Sequence, residues 1–150
     1  MSNYIPFVLI PFMAWGVWRL LKKRNDLTPL KRCTFYLGHI AFFLTEMGRS
    51  FYRPYIYSHG IKDYFVADTI GNSLGTVTAV FMILTLVGSG SPKDWRLIAM
   101  IIAGLIGYEC LNLVGDHAFD PRDVAATLVF GALSAAVYAR LLKQYGHAVS

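Results

Sequence analysis

The sequence predicts an all-α membrane protein with about five transmembrane helices. Hydrophobic residues make up 55% of the 150-residue chain, charged residues make up 15%, and the mean hydropathy is +0.46. These values are typical of a membrane-embedded chain and differ from those of an ordinary soluble domain. Because backbone polar groups in lipid must be satisfied within their own segment, the apolar segments predict helices and not strands.

Five apolar segments account for the predicted spans: residues 4–21, 33–53, 64–88, 95–115 and 121–142. Each is close to the ~20 residues that a helix needs to cross the hydrocarbon layer. The first segment lacks the basic start and small-residue cleavage site of a signal peptide, so we interpret it as a retained anchor. One membrane domain is therefore expected, with an anchor helix and basic loop (residues 1–30) followed by a four-helix bundle (residues 31–150).

The basic residues predict the orientation of the chain. Ten of the 14 Lys and Arg residues fall on one side of the predicted spans: Arg19, Lys22, Lys23, Arg24, Lys31, Arg32, Lys93, Arg96, Arg140 and Lys143. The positive-inside rule makes that side cytoplasmic, with the N-terminus outside and the C-terminus inside. The sequence pI of about 9.3 then reflects membrane insertion, so we predict no nucleic-acid partner.

The stretch SFYRPYIYSHGIKD, residues 50–63, interleaves aromatic rings with positive charges on the predicted outer side. Rings with polar tips are typical of the headgroup level of a membrane. Two interpretations stay open: an aromatic belt that anchors the protein, or the lipid-facing rim of a site.

Four predicted helices each carry polar residues in their outer halves. Helical spacing groups Glu46, Arg49 and Arg53; Asp68 and Asn72; Glu109, Asn112 and Asp116; and Asp120, Asp123 and Thr127, with His117 and Arg122 beside them. A charged side chain within a span costs ~2.5–3.5 kcal/mol on insertion scales and usually faces a cavity or a partner. The pattern therefore predicts a polar pocket open to the outer surface.

Small residues on the same helices predict close helix packing, because small side chains let backbones approach in lipid. They are Gly71 and Gly75, Gly104 and Gly107, and Gly131. The polar pattern of residues 46–75 also resembles that of residues 109–131, which is compatible with two parallel-repeated helical hairpins after the anchor.

The acidic residues near the last turn have competing interpretations. Asp120 before Pro121 fits a helix N-cap, with Asp123 in the first turn, and needs no function. The hard ligands Glu109, Asp116, His117, Asp120 and Asp123 could hold a divalent metal, but no metal-binding spacing is present, so a metal is not favoured and the cofactor stays unknown. The arginines Arg49, Arg53 and Arg122 suit phosphate or carboxylate recognition.

The stretch GLIGYECLNLVGDHAFDPRDVAATLVFGALSAAVY resembles the closing hairpin of the VanZ-like membrane family, named for a teicoplanin-resistance protein. The positions of that family's motif are held here by Glu109, Phe119, Asp120, Asp123, Thr127 and Gly131. DTIGNSLG, residues 68–75, resembles another helix of the family, while Asn112 stands where the family usually has Gln. The main match covers residues 95–142 and implies a cell-envelope context with antibiotic resistance, not a particular reaction.

Three functions follow as hypotheses for a protein of the bacterial cytoplasmic (inner) membrane. The first is a pocket that recognises lipid headgroups, lipid-linked envelope precursors or envelope-active antibiotics. The second is an enzyme that uses Glu109 and Asp123 as an acid/base pair on a lipid-linked substrate. The third is a transporter or ion-coupled subunit, for which a chain of 150 residues would need to form a homo-oligomer.

Overall fold

The computed structural model describes residues 4–111 and 119–146, and every regular element in those ranges is helical. The elements are α1 (Ile5–Lys23), α2 (Pro29–Met47), a π-helical turn (Gly48–Tyr52), α3 (Arg53–His59), α4 (Val66–Val87), α5 (Lys93–Leu111) and α6 (Pro121–Tyr145). The all-helical prediction is therefore confirmed for these residues.

Side-chain caps and prolines fix the starts of the long helices. The Thr28 hydroxyl accepts a hydrogen bond from the Lys31 N–H (3.2 Å) before Pro29, and α2 thus begins four residues earlier than the predicted apolar segment. The Asp120 carboxylate accepts from the Arg122 N–H (2.9 Å) before Pro121, which confirms the predicted cap of α6. Proline suits this position because it has no N–H to satisfy and its φ is already helical.

Most of the aromatic stretch predicted at the outer interface is helical, up to His59. Pro54 cannot donate to the carbonyl of Ser50 and its ring crowds that carbonyl, so the chain widens into the π-helical turn before α3. Gly60, with φ of 60°, ends α3 in the left-handed conformation, and the Ile61 N–H returns to the Ile56 carbonyl (3.1 Å).

The helices alternate in direction around a core formed by α2, α4, α5 and α6. Lys31 at the start of α2 contacts Thr85 at the end of α4, so these two helices are antiparallel. Arg122 at the start of α6 contacts Phe65 at the start of α4, so α4 and α6 run in the same direction. We call the end where α2 and α5 finish and α4 and α6 begin the upper end, and the opposite end the lower end. The buried cluster consists of Leu30, Val80, Phe81, Leu84, Ile98 and Tyr138.

Helix α1 packs on the outside of α2 through aromatic edges. The ring centroids of Trp18 and Phe35 are 5.3 Å apart, and those of Phe7 and Phe43 are 5.8 Å apart. The opposite face of α1 leaves large apolar side chains such as Phe12 and Trp15 exposed. An uncovered apolar surface of this kind is typical of a lipid-facing helix.

Among the described residues, the close packing predicted at the glycines is found at Gly131 and not at the other four. A methyl group added at Gly131 would lie 2.7 Å from Cδ1 of Ile102, so α5 and α6 approach closely there. A methyl group at any of the remaining predicted positions would meet no described residue within 4 Å: Gly71, Gly75, Gly104 and Gly107. The spacing of small residues along a helix carries no information about which side of that helix a neighbour covers.

Within the described residues, three helices, α1, α4 and α6, are long and apolar enough to span a membrane. The sequence predicted about five spans. The difference lies in α2 and α5, which each carry at least three charged residues: Lys31, Arg32 and Glu46 in α2, and Lys93, Asp94, Arg96 and Glu109 in α5. These charges lie within a few residues of the helix ends.

Candidate functional site

The predicted site residues that the structure describes gather at the upper end. Glu46 lies in the last turn of α2, Arg49 in the π-helical turn and Arg53 at the start of α3. Asp68 and Asn72 lie in the first two turns of α4, and Glu109 lies in the last turn of α5. Asp120 caps α6, and Arg122 and Asp123 lie in its first turn. Asn112, Asp116 and His117 lie outside the described residues.

A chain of polar contacts ties α3 to α4. The Arg53 Nε donates to the Tyr57 hydroxyl oxygen (3.1 Å), and the Tyr57 hydroxyl donates in turn to the Asp68 carboxylate. The Arg53 guanidinium also lies over the Tyr57 ring, with its carbon 5.5 Å from the centroid. The tyrosine hydroxyl thus links a positive and a negative side chain while both stay at the protein surface.

The segment between α3 and α4 holds two aromatic residues in an uncommon backbone conformation. Tyr64 and Phe65 have φ of 56° and 69°, in the left-handed region that non-glycine residues seldom occupy. The Asp63 carboxylate secures the segment because it accepts a hydrogen bond from the Ala67 N–H (2.6 Å) at the start of α4. Such backbone strain clusters at functional sites, where surrounding contacts maintain it.

A cation–π contact connects this segment to α6. The Arg122 guanidinium carbon lies 3.5 Å from the centroid of the Phe65 ring. Arg122 is exposed, and its charge therefore stays available at the upper end while its side chain is held in place by the ring. The beginnings of α4 and α6 are brought together by this contact.

A cavity of about 390 Å³ opens between α3 and the start of α4. Its apolar part is formed by two isoleucines, its aromatic part by three rings and its charged part by one lysine and two carboxylates: Ile56 and Ile61; Tyr57, Tyr64 and Phe65; Lys62, Asp63 and Asp68. Clefts of roughly 300–1,000 Å³ that combine apolar walls with a few polar groups are the usual form of small-ligand sites. Sequence reasoning missed Lys62, Asp63, Tyr57, Tyr64 and Phe65 as site residues, although the aromatic stretch was a signal.

The other predicted acids differ in their surroundings. Glu46 is mostly buried and pairs with Arg49 at 3.8 Å, whereas Glu109 is buried near the top of α5. Asp123 is half-buried and donates its backbone N–H to the Asp120 carbonyl (3.1 Å). Within residues 4–111 and 119–146 there is no group of three or more His, Cys, Asp or Glu residues placed to hold a metal ion.

His39 lies deeper in α2, below the cavity end of the bundle. Its Nδ1 lies 2.8 Å from the Phe35 carbonyl oxygen; since a carbonyl only accepts, Nδ1 carries the hydrogen. Its Nε2 is buried and has no hydrogen-bond partner among the described residues. Local contact with the backbone one turn earlier therefore accounts for only one of the two ring nitrogens.

The lower end holds a buried polar network that the sequence did not reveal. Lys31 is only 6% exposed, and its Nζ donates to the Thr85 carbonyl (2.8 Å) and the Leu84 carbonyl (3.4 Å) at the end of α4. The Asp26 carboxylate lies 3.4 Å from the same nitrogen. A cation at this position complements the negative end of the α4 dipole.

Asp94 forms the second part of the lower-end network. Its carboxylate accepts from the Ser89 N–H (2.9 Å), the Gly90 N–H (2.7 Å) and the Tyr138 hydroxyl of α6. Because a buried charge is costly unless it is hydrogen-bonded, these three donors stabilise the buried carboxylate. The carboxylate therefore joins the α4–α5 loop to α6.

Comparison with known proteins adds no family to this description. No protein-family model matches the chain, and no curated protein or solved structure matches it. The resemblance to the VanZ-like family stays a prediction based on the residues of the closing hairpin.

Proposed function

We propose that the chain is a five-span protein of the bacterial cytoplasmic membrane in which α2 and α5 also cross the bilayer. Each of these helices has 19 residues, and at ~1.5 Å per residue each is about 28 Å long, close to the ~30 Å hydrocarbon layer. Their buried charges lie near the helix ends and have partners from the protein at the lower end, as Lys31 and Asp94 illustrate. A charge count along the helix therefore overstates the cost of insertion.

In this proposal the upper end faces the outside and the lower end faces the cytoplasm, as the distribution of Lys and Arg predicts. Single cysteines in a background without Cys33 and Cys110 test it. A cysteine at Ser58 in α3 should react with an impermeant thiol reagent in intact cells, and one at Ser91 between α4 and α5 should react only after the membrane is opened. The reverse labelling pattern would invert the orientation and contradict the proposal.

We further propose that the upper-end cavity binds the headgroup of an amphiphile, either a membrane lipid or a lipid-linked envelope precursor. The cavity beside α3 carries this proposal: apolar Ile56 and Ile61 lie beside charged Lys62, at the end of a bundle with exposed apolar sides. An amphiphile matches such a site because its apolar and polar parts meet at one point. The resemblance to the VanZ-like family supports the same cell-envelope context.

Blocking the cavity tests the binding proposal. Ile61→Trp adds bulk at the cavity wall, while Leu133→Trp adds the same bulk on the exposed apolar face of α6 and serves as the control. Native mass spectrometry of the full chain from detergent should show one retained lipid per chain in the wild type and in the control, and loss of that lipid in Ile61→Trp. Equal lipid retention in all three proteins would show that the cavity is not the binding site.

A further inference from the structure

We infer that the cavity is selective for a zwitterionic headgroup in which an ammonium group follows a phosphate, as in phosphatidylethanolamine or phosphatidylcholine. This inference rests on the proposed function and specifies its ligand. The cavity contains side chains suited to both charges, since Lys62 and Asp63 are neighbours in the chain and both line it.

The aromatic rings provide the first argument, because aromatic faces attract ammonium groups. Tyr57, Tyr64 and Phe65 all line the cavity, and two of these rings already lie beneath protein cations, Tyr57 beneath Arg53 and Phe65 beneath Arg122. Tyr64 is 91% exposed, so its ring is open to a ligand. The left-handed backbone of Tyr64 and Phe65 holds these rings at the cavity edge.

The carboxylates provide the second argument. Asp63 is held in place by the Ala67 N–H, and Asp68 is held by the Tyr57 hydroxyl. Both contacts come from uncharged donors, so they orient the two carboxylates without neutralising them. An ammonium group between these carboxylates and the aromatic rings therefore meets two negative charges.

Lys62 provides the third argument. Lysine binds phosphate as a flexible point charge, and the exposed Lys62 can follow a headgroup at the cavity mouth. A purely anionic headgroup would meet the repulsion of Asp63 and Asp68, and a purely cationic one would meet that of Lys62. A headgroup with both charges satisfies both sets of side chains.

The test measures lipid selectivity of the full chain in detergent by native mass spectrometry. The probes are dihexanoyl phosphatidylethanolamine, phosphatidylcholine and phosphatidylglycerol, together with glycerophosphoethanolamine, which has the headgroup without acyl chains. The variants are Asp68→Asn and Lys62→Gln, and the matched controls at the lower end are Asp26→Asn and Lys93→Gln. Unliganded thermal unfolding of every variant verifies that it is folded.

We expect the wild type to bind the two zwitterionic lipids at least about tenfold more tightly than phosphatidylglycerol, which corresponds to one charge-assisted contact. Asp68→Asn should remove that preference because it lowers the affinity only for the zwitterionic lipids. Lys62→Gln should lower the affinity for all three lipids about equally. The controls should bind as the wild type does. Glycerophosphoethanolamine should bind more weakly than the lipid; equal affinity would overturn a membrane lipid as the source of the headgroup.

Equal affinity for phosphatidylglycerol and phosphatidylethanolamine, or an unchanged preference in Asp68→Asn, would overturn the inference. If Ile61→Trp still abolished binding of every lipid in that case, the proposed function would stand and only the headgroup assignment would fail. If Ile61→Trp changed the affinity for none of the lipids, the proposed function and the headgroup assignment would both fail.

Discussion

Replacement of Lys31 by methionine should destabilise the protein although the new side chain is of similar size and better suited to burial. Lys31→Met removes the donor to the Thr85 carbonyl at 2.8 Å, and that carbonyl is then left at the end of α4 without the ammonium group. The Leu84 carbonyl suffers less because it also accepts from the Gly88 N–H at 2.9 Å. The main loss is therefore one charge-assisted hydrogen bond.

The expected loss can be worked from these contacts. One hydrogen bond to a charged group contributes ~1.5–3 kcal/mol and a cation at a helix C-terminus another ~0.3–1 kcal/mol, while relief from burying the ammonium group offsets part of both. We expect the free energy of unfolding to fall by about 2 kcal/mol. For a chain of this size that change lowers the unfolding midpoint by roughly 4–8 °C.

Thermal unfolding of the purified protein in detergent measures this effect. Arg32→Met is the matched control, because Arg32 is the next residue of the same helix but is exposed. It should unfold close to the wild type, and Asp26→Asn, which removes a partly exposed pair partner, should cost less than about 1 kcal/mol. Equal midpoints for Lys31→Met and Arg32→Met would refute the claim that Lys31 stabilises the end of α4.

Three further predictions concern other contacts. Tyr138→Phe should cost about 1–2 kcal/mol, and its effect should nearly vanish in an Asp94→Ala background if the two side chains act as one pair in thermal unfolding. Asp120→Asn should be almost silent and Asp120→Ala should cost about 1 kcal/mol, since asparagine caps as well as aspartate; a loss in Asp120→Asn would require a charge-dependent role. Gly131→Leu should cost about 1–3 kcal/mol through contact with α5, whereas Gly104→Ala, in open space, should cost nothing in the same assay.

Local patterns predicted the long helices and the cap of α6 well. The apolar segments identified all five long helices because each segment contains its own signal, and Asp120 before Pro121 identified the start of α6 for the same reason. The start of α2 was predicted late because Lys31 and Arg32 resemble loop residues. Burial of Lys31 depends on the carbonyls of α4, 53 and 54 residues further along, and no local pattern contains that contact.

The cavity and the predicted site residues overlap only in part. Asp68 lines the cavity, and Arg53 and Arg122 lie over two of the rings that line it. The residues that line the cavity all fall within residues 56–68, but they meet only because the chain turns at Tyr64 and Phe65 in the left-handed region, which helical periodicity does not predict. Periodicity identifies the face of a helix, but it does not identify the loop that folds over that face.

Two charged residues at each end of the bundle have opposite surroundings. At the lower end the side chains of Lys31 and Asp94 are buried, and their hydrogen-bonding atoms meet backbone groups and Tyr138. At the upper end Lys62 and Arg122 are exposed, and the contact that holds Arg122 is an aromatic ring, which leaves its charge intact. A charge whose contacts come from the fold contributes to stability, whereas an exposed charge beside a cavity can act on a ligand. Neutral substitutions at Lys31 or Asp94 should therefore change the unfolding midpoint, and those at Lys62 or Asp68 should change ligand affinity with little change in that midpoint.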